Sequence, residues 1–434
     1  MSERTAATTD PDAAEAADDS TETQTEITSG STSVVRALEN AGVETAFGVQ
    51  GGAIMPIYDA LYHSDIRHMT MAHEQGAAHA ADAYGVVRGD PGVCLATSGP
   101  GATNLVTGIA DANMDSDAVL ALTGQVPSDM VGSDAFQETD TTGVTAPITK
   151  HNYFASSPDT VGDTVGEAFA LAAEGRPGPT LVDLPKDVSL NETDREPGPA
   201  QPPETCRART DPADSEVEAA ARAIERAEKP LLLFGGGVVK ADATEVARQF
   251  ATEHRIPVVT TMPGIGAMPE DHELCLSWAG MHGTGYANMA ITHTDCLIAV
   301  GTRFDDRLTG GIDTFAPEAE VVHIDIDPAE ISKNVHADYP VVGDAGRAIE
   351  RVDAELERVL LVVIVLIRVT LWDLVDAQEV RLSAREYVVR VVEFRVIVLT
   401  VRHQAGESET VGSARRRRDG VGKRIGRTEV QFHR

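Results

Sequence analysis

A glutamate at the head of a run of small residues is the best place in this 434-residue chain to look for proton chemistry. The stretch reads His73-Glu74-Gln75-Gly76-Ala77-Ala78-His79-Ala80-Ala81-Asp82-Ala83-Tyr84-Gly85. An acid in a first helical turn is favoured by the macrodipole whatever its function. Here Gly76 and the alanines predict that another surface comes close. That surface would partly strip Glu74 of water and poise it to trade a proton with a heterocyclic nitrogen. Two glycine turns flank the helix, Phe47-Gly48-Val49-Gln50-Gly51-Gly52-Ala53 before it and Ser98-Gly99-Pro100-Gly101-Ala102-Thr103-Asn104 after it. Backbone N–H groups at such a turn could meet an anion or a ring nitrogen. Phe136 and Gln137, downstream of Gly124-Gln125-Val126-Pro127, would ordinarily be a packed aromatic and a surface amide. Glycine turns around an acid-bearing helix point to a bulky, polar organic cofactor.

The elements that must position these residues alternate. Ser31 to Ala41 has a helical stripe of Val34, Val35, Leu38 and Ala41. Glu44 to Val49 predicts a strand, Ile54 to Tyr62 a helix, Val93 to Thr97 a strand and Asn104 to Asn113 a helix. Ala118 to Thr123 and Thr180 to Leu184 are further strands. After a proline-rich stretch, Glu196-Pro197-Gly198-Pro199-Ala200-Gln201-Pro202-Pro203, a second block begins. It has helices at Ser215 to Ala227 and Thr244 to His254, and strands at Pro230 to Phe234, Ile256 to Thr261, Cys296 to Gly301 and Glu320 to Asp325. Strand, glycine turn and helix in alternation predict α/β architecture with two parallel-sheet domains, whose ligands gather at the C-terminal strand ends. The expected division is a tail over 1–28, a first domain over 29–190, a linker over 191–212, a second domain over 213–354 and a further segment over 355–434.

Composition narrows the function class. The formal net charge is −32, and only six lysines occur, Lys150, Lys186, Lys229, Lys240, Lys333 and Lys423. Such acidity disfavours nucleic acid and anionic membrane as partners, and it suits a cytoplasmic, halophilic-type protein whose self-repulsion salt screens. Residues 1–26 lack both a basic start and an apolar core, so they predict a solvated acidic tail and not a signal peptide. Cys94, Cys206, Cys275 and Cys296 have no CxxC or histidine-paired spacing, which points to reduced thiols and no zinc site. No residues are nominated as metal ligands.

From Arg358 onward the chain carries 15 basic and 9 acidic residues, against 21 basic and 59 acidic before it. Val and Arg replace the Ala, Gly, Asp and Thr texture there, and the run Val359 to Ile367 is too short for a membrane helix. The shift predicts a reading-frame change near Glu357 and an aggregation-prone segment that is not a domain.

Taken in order, the motifs resemble the thiamine-diphosphate enzymes, and among them the large catalytic subunits of acetolactate (acetohydroxyacid) synthase. The resemblance covers about residues 31–353. Its segments are Phe47 to Leu61, His73 to Tyr84, Thr97 to Ala110, Gly124 to Pro127, Gly132 to Glu138, Thr149 to Tyr153 and Gly175 to Asp187. Gln50 departs from the proline usual in the first glycine turn. The resemblance implies a pyrimidine-binding first domain and a central, Rossmann-like FAD-binding domain. It makes Glu74 the acid on the aminopyrimidine of thiamine diphosphate, with Gly51, Pro100 and Asn104 beside the cofactor. Gln137 and Lys150 become catalytic, while Phe136 and Lys186 line the substrate channel. FAD would fall to Arg176, Gly235, Gly236, Gly237, Met281, His282, Gly301, Arg303 and Asp325.

The implied reaction condenses two pyruvates, or pyruvate with 2-oxobutyrate, releasing CO₂ in valine, leucine and isoleucine biosynthesis. Family members are dimers or tetramers with the active site between subunits, and some pair with a small regulatory subunit. A third domain binds Mg²⁺ and the diphosphate through a Gly-Asp-Gly segment and an Asn-Asn pair. Nothing in 358–434 matches it, so the expectation is a truncated, inactive chain. Glyoxylate carboligase and sulfoacetaldehyde acetyltransferase share the glycine turns and remain alternatives, as does a non-catalytic FAD-binding remnant.

Overall fold

The computed structural model describes residues 27–356, and within them two six-stranded sheets, each parallel throughout. The first sheet contains β1 (Thr45–Gly48), β2 (Arg67–Thr70), β3 (Gly92–Ala96), β4 (Val119–Gln125), β5 (His151–Phe154) and β6 (Thr180–Pro185), ordered β2-β1-β3-β4-β6-β5. The second contains β7 (Pro230–Phe234), β8 (Val258–Thr260), β9 (Cys275–Trp278), β10 (Cys296–Val300), β11 (Glu320–Asp325) and β12 (Tyr339–Val342), ordered β9-β8-β7-β10-β11-β12. That second order is the doubly wound dinucleotide fold's, reached without a Gly-x-Gly-x-x-Gly turn. A two-residue antiparallel ladder, Thr28–Ser29 on Glu192–Thr193, brackets the first sheet.

Pleating sorts each strand between two cores. On one face of the first sheet Val93, Leu95, Leu120, Leu122, Val182 and Leu184 meet Val34, Val35 and Leu38 of helix Gly30–Asn40 and Val161, Val165 and Phe169 of helix Val161–Ala173. Ser29 caps the first of these helices, accepting from the Thr32 N–H at 3.2 Å. On the other face Cys94, Ala96, Val119, Ala121 and Leu181 meet Ala77, Ala78 and Ala81 of helix Glu74–Arg88 and Ile109 and Ala112 of helix Val106–Asp115. The second sheet repeats the plan. Leu232, Phe234, Ile298, Val300, Val322 and Ile324 pack on helices Asp214–Arg226, Thr244–His254 and 345–356, while Leu231, Leu233, Leu297 and Ala299 pack on helix Gly285–His293 and on Phe304.

The surface expected to approach the alanines is therefore the chain's own. A side chain on Gly92 would strike the Ala81 backbone, and one on Gly108 would strike Ala78. The four edge strands β2, β5, β9 and β12 are absent from the sequence-level pattern, and the helix expected from Asn104 begins earlier. It runs as Pro100–Asn104 and then Val106–Asp115, parted at buried Leu105. The acidic tail over 1–26 and the segment from 357 on lie outside the described residues. Among the described residues no helix is long and apolar enough to cross a membrane.

Candidate functional site

Strand order fixes where the first site lies. The chain leaves β1 for β2 on one side and returns to β3 on the other, so the turns after β1 and β3 diverge and open a crevice between them. Those turns are Val49 to Ala53 and Thr97 to Gly101, the two glycine motifs. Thr97 braces them, its Oγ1 accepting from the Ala53 N–H at 3.2 Å. Gly51 sits so close to the Thr97 side chain that a Cβ there would collide with it. Gly99 takes φ 57°, ψ −118°, a conformation suited to glycine, and a Cβ there would strike the Gln137 backbone.

Glu74 reaches this crevice from the first residue of helix Glu74–Arg88, which His73 caps by accepting the Gln75 N–H at 3.1 Å. Half-buried Glu74 accepts through Oε2 from Asn104 Nδ2 at 2.9 Å. Its Oε1 lies 3.4 Å from where a Cβ of Gly101 would stand. One carboxylate oxygen is thus held and the other lies beside Gly101, where the Thr97 methyl leaves no room for a side chain. The helix-start N–H groups of the second turn are already spent: Gly101 donates to Ser98 O at 3.2 Å and Thr103 to Gly99 O at 3.0 Å. Pro100, at the first helical position, is exposed.

Two residues here escape the sequence reading. Tyr58 buries its hydroxyl beside Gly48 with no hydrogen-bond partner, and burial, then Cys94 and Glu74, hold it above the usual phenol range. Asp183, 1% exposed on β6, accepts from Thr123 Oγ1 at 2.7 Å and Gln125 Nε2 at 2.9 Å, and Gln125 also donates to Thr139 O. Burial pushes Asp183 up to about 6 against the two hydrogen bonds that lower it. This buried network ties β4 to β6 and anchors the loop between Val126 and Asp140. An acid inside Thr180-Leu181-Val182-Asp183-Leu184 was the available signal.

That loop carries Phe136, 87% exposed, and Gln137, at φ 59°. Glu138 shapes it by accepting from the Gly132 and Ala135 N–H groups, which hold its carboxyl below the usual range. Gln137 therefore joins the Glu74 crevice through Gly99. Lys186, half-buried at the start of helix Lys186–Leu190, follows β6. Lys150 goes elsewhere. The residue is exposed as a whole, but its ammonium donates to Leu171 O at 2.7 Å and to Glu174 O, and desolvation lowers it to about 8.

Lys150 borders a cavity of about 1700 Å³ between the two sheets, which Arg176, Trp278, Met281, His282, Arg303 and Lys333 also line. An adjoining space of about 440 Å³ is lined by Gly236, Gly237, Gly301 and Asp325. Seven basic side chains in the larger lining are matched by seven acidic ones, among them Asp327 and Glu330 paired to Arg176, so the cleft is of mixed charge. Both expected flavin arginines also bridge the sheets. Arg176 donates to Ser116 Oγ at 2.8 Å, Asp327 at 3.1 Å and Glu330 at 2.6 Å, and Arg303 donates to Met114 O. Gly235 and Gly237 are glycines because each packs on Gly301, and Gly236 packs on Pro263. Asp325 accepts from the Asp327 N–H at 2.9 Å, and burial raises it to about 6. Neighbouring His323 is fully buried, pressed to about 4 by desolvation and bonded to Thr302 O at 2.9 Å.

Among the described residues one trio, His79, Asp82 and Asp111, has metal-ligand spacing, with ligand atoms within 4.8 Å. It lies along helices Glu74–Arg88 and Val106–Asp115, and His79 Nδ1 is already 3.3 Å from Asp111.

Comparison with known families finds a match to each sheet. Residues 28–144 match the thiamine pyrophosphate enzyme N-terminal TPP binding domain, and residues 217–352 match the thiamine pyrophosphate enzyme central domain. The chain is 51% identical over 323 residues to the acetolactate synthase large subunit of Corynebacterium glutamicum, covering 74% of this chain and 52% of that protein. It is 52% identical over 319 residues to a probable acetolactate synthase large subunit of Methanocaldococcus jannaschii, covering 73% and 54%. The Parasynechococcus marenigrum large subunit is 50% identical over 343 residues, covering 76% and 55%. The chain thus spans about half the length of the curated relatives it matches.

Proposed function

We propose that this chain, which belongs to the thiamine pyrophosphate enzyme family and is homologous to acetolactate synthase large subunits, provides the pyrimidine-binding and central parts of such a carboligase. The reaction joins two pyruvates, or pyruvate and 2-oxobutyrate. In the first case the C1–C2 bond of one pyruvate breaks and CO₂ leaves. Its former C2 then bonds to the keto carbon of the other, and one proton is taken up to give acetolactate. Thiamine diphosphate, when bound, supplies the nucleophilic carbon and the electron sink for that cleavage.

The single observation that carries the reading is Glu74, one oxygen held by Asn104 and the other beside Gly101. Glu74 holds or accepts a proton at a pyrimidine nitrogen. The loop bearing Phe136 and Gln137 touches Gly99 at the edge of the crevice. Exposed Met130, Val131 and Phe136 on that loop suit coverage by a second subunit. For FAD the family resemblance points to Arg176, Arg303, Met281, His282 and Asp325, which line the cleft between the sheets or the space adjoining it. The balanced reaction moves no net electrons, so the flavin's place is structural. For Mg²⁺ the described residues around Glu74 offer no matching set of oxygen donors, and none of them is assigned to it.

The test is product analysis on the full chain with thiamine diphosphate, Mg²⁺ and FAD over a panel of pyruvate, 2-oxobutyrate and glyoxylate, with cofactor binding measured in parallel. Acetolactate formation, or thiamine diphosphate binding that Glu74→Gln weakens, supports the reading. Preference for glyoxylate would move the chain to a sibling carboligase. Bound flavin without any thiamine diphosphate affinity would make it a flavin-binding protein.

A further inference from the structure

Asn104 stands where a cofactor ligand is expected, yet its amide is turned toward Glu74. It ends the five-residue helix Pro100–Asn104, immediately before buried Leu105, whose backbone stays helical (φ −73°, ψ −22°) and leads into helix Val106–Asp115. Its Nδ2 meets Glu74 Oε2 at 2.9 Å across 30 residues of sequence. The other oxygen, Oε1, lies 3.4 Å from a Cβ placed on Gly101, a position that the Thr97 methyl crowds at 2.7 Å.

We infer that Asn104 is a positioning residue for Glu74: its amide N–H fixes the carboxylate's orientation, so that Oε1 alone is presented to an incoming ring. An amide is the side chain suited to this. It donates an N–H to a carboxylate oxygen and adds no charge of its own. Aspartate of the same shape would set a second carboxylate against the first, and leucine of similar size would remove the donor. The inference rests on the reading of Glu74 given above, but it concerns the free chain and can be tested there.

The full chain, labelled at glutamate Cδ with ¹³C, is observed by NMR at one fixed neutral pH, with the Glu74 signal assigned by its loss in Glu74→Gln. Asn104→Leu and Asn104→Asp are each expected to shift and broaden that signal, as the released carboxylate samples more than one orientation, while distant glutamate signals stay in place. A merely structural Asn104 would lower thermal stability and leave the position and width of the Glu74 signal as in wild type in both variants, and that result overturns the inference. Should Asn104→Leu fail to fold, the Asn104→Asp spectrum decides alone. Thiamine diphosphate titrated into wild type and Glu74→Gln separates the two claims. Equal affinity for both would sink the reading of Glu74 as the cofactor's partner while leaving the spectra of the free chain intact.

Discussion

Asp183 offers the sharpest test of the physical account of the loop that overhangs the Glu74 crevice. Burial is the dominant influence on it and outweighs the donors Thr123 and Gln125, lifting its carboxyl to about 6. In an unfolded chain an aspartate titrates at roughly 3.9. The folded state therefore binds this proton more tightly. The stability the group contributes is full below the unfolded value and is lost as pH rises through about 6. That contribution is on the order of 1 kcal/mol at about pH 5 and close to nothing at about pH 7.5. This is opposite to the behaviour of a salt-bridged surface carboxylate. Asp183→Asn keeps the shape and cannot titrate, so all other groups cancel in the comparison. Urea unfolding of wild type and Asp183→Asn at fixed high salt should show wild type gaining on the order of 1 kcal/mol on the variant as pH falls from about 7.5 to about 5. A gap that stays flat, or that widens the other way, would refute the claim that burial wins over the two hydrogen bonds.

Three further outcomes follow from the geometry. Gly51→Val drives a side chain into Thr97 and should weaken thiamine diphosphate binding at least ~10-fold by calorimetry, whereas Gly52→Ala, where a Cβ meets nothing within 4 Å, should bind normally. Arg176→Ala leaves Glu330, 4% exposed, to Lys333 alone and removes one of the ties between the two sheets; a loss of about 2–3 kcal/mol in unfolding is expected, together with weaker flavin binding if the proposed cleft holds it. Lys150, lowered to about 8 by desolvation, should acylate faster than Lys229 at about pH 7.5, as read by mass spectrometry; equal rates would show its ammonium to be fully solvated.

Central strands are legible because burial on both faces leaves uninterrupted apolar runs, as in Val119-Leu120-Ala121-Leu122 and in Cys296–Val300, every residue of which is buried. Edge strands are not legible. Arg67–Thr70, His151–Phe154, Cys275–Trp278 and Tyr339–Val342 each have a sheet neighbour on one side only, so polar and half-exposed residues suffice there and the apolar signal fades. Helix Val161–Ala173 carries a period-3.6 stripe of Val161, Val165, Ala168, Phe169 and Ala172 that a strand-and-turn reading passes over. At the site, spacing points to Glu74 and to both glycine turns. It does not show that Asn104 serves Glu74, because the two lie 30 residues apart and meet only once their helices pack on the same face of the sheet.

Both sheets bring glycine-rich turns to the place where their strand order reverses, and in both the glycines answer to close packing. In the first sheet a Cβ on Gly51 or Gly101 would collide with the Thr97 side chain, and Glu74 Oε1 lies next to Gly101. In the second, Gly235, Gly237 and Gly301 pack on one another, and the open volume lies between the sheets among arginines, lysines and as many acids. A site that exchanges protons needs an acid and fixed geometry, whereas one that holds a large ligand needs width. On the reading proposed above, the chemistry belongs to the first sheet and the binding cleft to its junction with the second, where Arg176 and Arg303 both cross.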